Sequence, residues 1–179
     1  MNHSKQIVTA GMLIALGLVL PIAFHTFALG GPTFLPMHLP VLLGGFLLSP
    51  FYALFVGAVT PFLSSVMTGM PIFFPGAIQM IFELAAYGFL ISYLYNQRKM
   101  GIYPVLITGM AGGRVIAGFV NYILLTQFMA KAFTVKIYLM AAFVTALPGI
   151  VIQIITIPFL VNALVKTHFM TGMPERKNR

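Results

Sequence analysis

The sequence predicts an all-α integral membrane protein, and three observations carry that class. Of its 179 residues 60% are hydrophobic, only 7% are charged, and Asp and Cys are absent. A soluble domain carries about a quarter charged residues, because its surface must be solvated by water. Here apolar side chains have to coat the outside, so the medium around that outside is lipid. The lack of Cys also excludes disulfides and thiolate metal sites.

A spanning helix needs roughly 20 apolar residues at about 1.5 Å each. The first candidate is residues 6–24, followed by a loop containing His25, Thr26, Gly30, Gly31 and Pro32. It is too long for a signal-peptide core and lacks a small-residue cleavage site, so it is expected to remain as the first span. The second is residues 36–49, broken by Pro50, and the third is residues 51–67, the two forming a tight hairpin. Thr68, Gly69, Met70 and Pro71 mark a turn. The fourth, residues 75–95, starts on a proline suited to a first helical turn and is closed by Arg98, Lys99, Met100 and Gly101. The fifth is residues 103–124, and the sixth is residues 138–165 with Pro148 and Pro158 inside. The expected organisation is a single six-helix membrane domain over 1–170 and a basic tail over 171–179.

Six crossings put both termini on one side, and the basic residues indicate which. The formal net charge is +8, without any clustered patch that would suit nucleic acid. Lys5, Arg98, Lys99, Lys166, Arg176, Lys177 and Arg179 fall on the side of the termini, against only Lys131 and Lys136 on the other. Cytoplasmic loops carry the excess of Lys and Arg, so both termini are expected in the cytoplasm.

Two ionisable residues fall inside spans. Glu83 is about 12 Å below the outer start of the fourth helix, and Arg114 about 15 Å below the outer end of the fifth. Matched depths allow them to pair. One reading makes the pair a tie between two helices; the other has one or both meet a polar ligand, since intramembrane charges usually mark function. Gln79 stands one turn above Glu83 and Asn121 two turns above Arg114, each on the same helix face as its charge. Such a polar stripe suits a cup open outward. His25 and Thr26 are placed to reach a ligand from the first outer loop. His38, between Pro36 and Pro40, reads as a structural donor. Gln153 reads as a buried hydrogen bonder between helices. Lys131 and Lys136 are solvated loop charges that would steer an anion inward.

Gly11 and Ala15, and likewise Gly109 and Gly113, are four apart, a spacing that lets helices approach closely, within the bundle or against a partner. No metalloprotease helix, serine elbow, Walker loop or carboxylate pair is present, so no catalytic residue, metal ligand or cofactor is expected. The chain is too small for the two-half design of most secondary transporters. A ligand binder, a stand-alone channel or a subunit of something larger remain.

Several stretches resemble the substrate-specific (S) components of energy-coupling factor (ECF) importers. They are FLPMHLPVLLGGF over 34–46, LSSVMTGMP over 63–71, ELAAYG over 83–88, Gly113-Arg114, and PGIVIQ over 148–153. The resemblance covers nearly the whole chain. It implies a multi-pass subunit of the bacterial cell membrane that captures a vitamin from outside. Its implied partners are a transmembrane coupling protein and two cytoplasmic ATPases that hydrolyse the ATP. The positions matching the family's ligand site are Gln79, Glu83, Arg114 and Asn121, with His25 and Thr26 in the loop. Gly11 and Ala15 match the spacing of the motif that meets the coupling protein, with Gly in place of the commoner first Ala. An intramembrane Arg and two outer Lys favour a carboxylate ligand. Pantothenate is the first choice; pyridoxine or hydroxymethylpyrimidine, folate and cobalamin remain open, as does a small channel.

Overall fold

A computed structural model describes residues 2–26 and 31–166, without the side chains of residues 25, 26, 165 and 166. The basic tail, with Arg176, Lys177 and Arg179, lies outside the described residues. Among them every regular element is helical. Five helical stretches are long and apolar enough to cross a membrane: His3–Phe24, Pro50–Thr68, Phe73–Gln97, Ile102–Phe128 and Leu147–Leu164. The core helices are α1 (His3–Thr26), α4 (Pro50–Thr68), α5 (Ile78–Ser92), α6 (Ile102–Ile123) and α8 (Leu147–Lys166). Wider, π-type turns extend α5 at both ends and α6 at its C-terminal end.

The other two apolar segments are shorter. α2 (Gly31–Phe34) and α3 (His38–Leu47) replace the expected second span. The ten residues of α3 rise only about 15 Å, half the hydrocarbon thickness. Eight of them are buried, so α3 is enclosed by neighbouring helices, and a helix shielded from lipid need not reach both faces. The expected sixth span is also divided: α7 (Val135–Leu139) continues through Met140–Thr145, and the helix is interrupted at Ala146 before α8. Pro148 then sits in the first turn of α8, where its missing N–H costs nothing. The interruption was not expected.

The expected hairpin is present. Leu48 and Ser49 are extended and Pro50 begins α4, so the chain reverses with no loop. The backbone groups freed at this reversal are satisfied by three side chains. Ser92 Oγ and Asn96 Nδ2 donate to the Leu48 carbonyl at 2.6 and 2.9 Å, and the Ser49 N–H donates to Gln6 Oε1 at 3.0 Å. At the other end of α4, Gly69 adopts φ 73°, the left-handed cap that glycine tolerates best. The expected turn at 68–71 therefore stands.

α5 is the central helix and packs on α3, α4 and α6, while α1 lies against α3 and α4. Its core face carries Leu84, Tyr87 and Ile91, meeting Val41, Leu42 and Phe46 of α3, Val56 of α4 and Leu106 of α6. Glycines set the distances. A Cβ on Gly57 would overlap the Leu84 carbonyl, one on Gly88 the Ala53 carbonyl, and one on Gly113 the Tyr87 ring. Outside, the pattern inverts: Phe51, Val115 and Phe159 are 74%, 73% and 72% exposed. Such a surface belongs in lipid, and the chain is a multi-pass membrane protein.

Candidate ligand-binding cavity

A cavity of about 710 Å³ lies among the helices, lined from α1 to α6 and from the 132–146 segment that precedes α8. Gln79, Glu83, Arg114 and Asn121 all line it. The spacing of Gln79 and Glu83 on α5, and of Arg114 and Asn121 on α6, does place each pair on one face, and both faces turn to the same space. Gly113 is what brings the charges together: without a side chain it lets Tyr87 of α5 lie against α6 beside Arg114.

Glu83 and Arg114 face each other with Arg114 Nη1 3.9 Å from Glu83 Oε1. The pairing expected from their depths is present, but it is loose. A charge-assisted hydrogen bond runs at about 2.7–2.9 Å, so this contact is electrostatic without a bond. Glu83 Oε1 instead accepts from Tyr87 Oη at 2.7 Å. The Arg114 guanidinium makes no hydrogen bond to any described residue, and its Nη2 is wholly buried without a partner. It lies over the Phe143 ring, 5.4 Å from the centroid. An arginine held in this way has donors left to offer.

Three further side chains complete the site. His38 is buried at the start of α3 with Nε2 3.9 Å from Glu83 Oε1, and its ring lies 5.7 Å from that of Tyr87. It lines the cavity, and Nδ1 has no partner. The expectation that His38 is a satisfied structural donor is therefore corrected: its side chain makes no hydrogen bond to a described residue, and only its backbone N–H is bonded, to the Leu35 carbonyl at 3.0 Å. Tyr138 Oη donates to the Arg114 carbonyl at 2.6 Å, tying the α7 segment to α6. Tyr87 and Tyr138 were not singled out from the sequence. Tyr87 follows Glu83 by four residues and so shares its face; that signal was legible. Nothing local marks Tyr138, which reaches Arg114 across 24 positions.

The remaining expectations fall as follows. α1 runs on through Thr26, so the backbone of His25 and Thr26 is helical and not a loop; their side chains lie outside the described residues. Gln153 is fully buried, as expected, and donates weakly to the Leu35 carbonyl at 3.5 Å while Oε1 lacks a partner. Gly109 packs on Ile91 within the bundle, whereas a Cβ on Gly11 would meet open space, and Ala15 is exposed. The two small-residue pairs thus part company: one is internal, the other faces outward.

A multi-pass bundle enclosing a cavity of small-molecule size, with a buried charge pair in its wall, defines a membrane-embedded ligand binder. The family model "ECF transporter, substrate-specific component" matches residues 5–166, and the chain belongs to that family, whose members are substrate-binding membrane subunits. No curated protein and no solved structure matches the chain.

Proposed function

We propose that this chain captures a small carboxylate vitamin, pantothenate being the best fit, from outside a bacterial cell for ATP-driven uptake. The observation that carries this reading is the Arg114 guanidinium, buried on a cavity wall and without a hydrogen-bonded partner among the described residues. A ligand carboxylate supplies the acceptors it lacks. Gln79 and Asn121, partly buried on the same wall, offer amide groups to the hydroxyl and amide of such a ligand. A volume of about 710 Å³ suits a small vitamin far better than a corrin.

In this reading the chain crosses the bilayer six times with both termini cytoplasmic. The short α2–α3 segment forms the second crossing, and α7 with α8 the sixth. Arg98 and Lys99, exposed between α5 and α6, then face the cytoplasm, and Lys131 and Lys136 face outward. Outward-facing Gly11 and Ala15 on α1 are the docking stripe for a transmembrane coupling protein carrying two ATPases. The test is mass spectrometry of small molecules released from the purified chain, followed by calorimetry with pantothenate. Recovery of a vitamin without a carboxylate would overturn the ligand assignment.

A further inference from the structure

Three side chains surround one carboxylate oxygen, and only one of them is bonded to it. Tyr87 Oη donates to Glu83 Oε1 at 2.7 Å, whereas His38 Nε2 and Arg114 Nη1 each stop 3.9 Å away. His38, Glu83 and Arg114 are 3%, 6% and 5% exposed. His38 Nδ1 and Arg114 Nη2 are buried without partners. Buried polar groups are almost always hydrogen-bonded, and each one left unpaired is costly. His38 and Arg114 flank one carboxylate and both line the cavity, so a bound molecule can supply the bonds that their side chains lack. The 3.9 Å between His38 Nε2 and Glu83 Oε1 admits a ligand atom about 2.8 Å from each.

The chemistry of the three groups restricts what fits. Arg114 offers only donors and Glu83, when ionised, only acceptors, while a neutral imidazole offers one of each. A carboxylate can sit on Arg114, but a second acceptor next to Glu83 would be repelled. We propose that His38 is a specificity-determining residue. Together with Glu83 it selects, among carboxylates held by Arg114, those carrying an N–H or O–H donor a few bonds from the acid group. The inference rests on the reading that Arg114 takes a ligand carboxylate. Under it a bare fatty-acid-like carboxylate is rejected, because the His38 side chain remains unpaired in the complex and Glu83 keeps only its bond from Tyr87.

The test is binding of a matched panel to the purified full chain. It comprises pantothenate, pantothenate methylated on its amide nitrogen, and lipoate, whose carboxylate has no neighbouring donor. The unaltered chain is expected to bind pantothenate about tenfold or more tightly than the methylated acid, the cost of leaving one buried group unpaired. His38→Ala should reduce that ratio to within about threefold, and His38→Gln, which keeps a donor and an acceptor, should restore part of it. A structural role for His38 would weaken both acids equally and leave the ratio intact, overturning the proposal even if His38→Ala folds poorly, since His38→Gln reads the same ratio. Binding of all three acids without preference would overturn this inference while sparing the carboxylate reading. Binding of none would remove both.

Discussion

Truncating Arg114 to Ala separates the two readings of the buried charge pair. At 3.9 Å and an effective dielectric of about 20, the attraction between Arg114 and Glu83 is about 4 kcal/mol. Removing one member of a buried pair typically costs about 3–5 kcal/mol of stability, because the other is left charged and unpaired. A loss of ligand affinity of about 2–5 kcal/mol is expected as well, roughly 30-fold to several thousandfold. The single variant mixes both effects, so the assay is a cycle. Calorimetry is run on the unaltered chain and on Arg114→Ala, each with pantothenate and with its neutral primary amide. The unaltered chain should prefer the acid strongly; Arg114→Ala should bind both alike. Adding Glu83→Gln to Arg114→Ala should recover thermal stability, since no buried charge is left over, without recovering the preference for the acid. Equal losses for acid and amide would refute the reasoning and make Arg114 a scaffold residue.

Further outcomes follow from the packing. A Gly11→Leu, Ala15→Leu double variant should bind the vitamin normally and fail to assemble with the coupling protein, as scored by copurification of the ATPases, because a bulky side chain prevents close helix approach. Gly57→Ala should lower the melting temperature in detergent far more than Gly11→Ala: the first places a methyl against the Leu84 carbonyl, and the second enters open space. Tyr138→Phe should cost about 1 kcal/mol of stability, the hydrogen bond to the Arg114 carbonyl being the only group removed. Since the chain has no Cys, single-cysteine variants at Lys99 and Lys131 can be labelled with an impermeant thiol reagent on intact cells. Only the Lys131 position should react.

Much of the fold was legible because lipid simplifies the reading: long apolar runs, proline breaks and glycine turns fix where helices begin and end. The Pro50 hairpin and the Gly69 cap followed directly from residue chemistry. The length of α3 did not. An apolar run reads alike whether it meets lipid or protein, and only the packing shows that α3 is enclosed. Likewise the break at Ala146 carries no breaker of its own; Pro148, two residues on, is content inside the first turn of α8. Same-face spacing brought Gln79, Glu83, Arg114 and Asn121 together on the cavity wall, since helical periodicity is local information. That the His38 side chain lacks a hydrogen bond was not legible, because it depends on packing, and Tyr138 could not be found because its partner is 24 positions away.

The reciprocal contacts of Gly57 with the Leu84 carbonyl and of Gly88 with the Ala53 carbonyl have a mechanical consequence. Two helices seated backbone to backbone at two points can neither slide nor roll without lifting out of both, so α4 and α5 behave as one stiff plate. Glu83 and Gln79 ride on that plate. Any breathing that admits or releases a ligand then falls to the opposite wall, where the chain is interrupted at Ala146 and where Ile137, Met140 and Val144 are largely exposed. The cavity is thus a vessel with one rigid side, which carries Gln79 and Glu83, and one interrupted side.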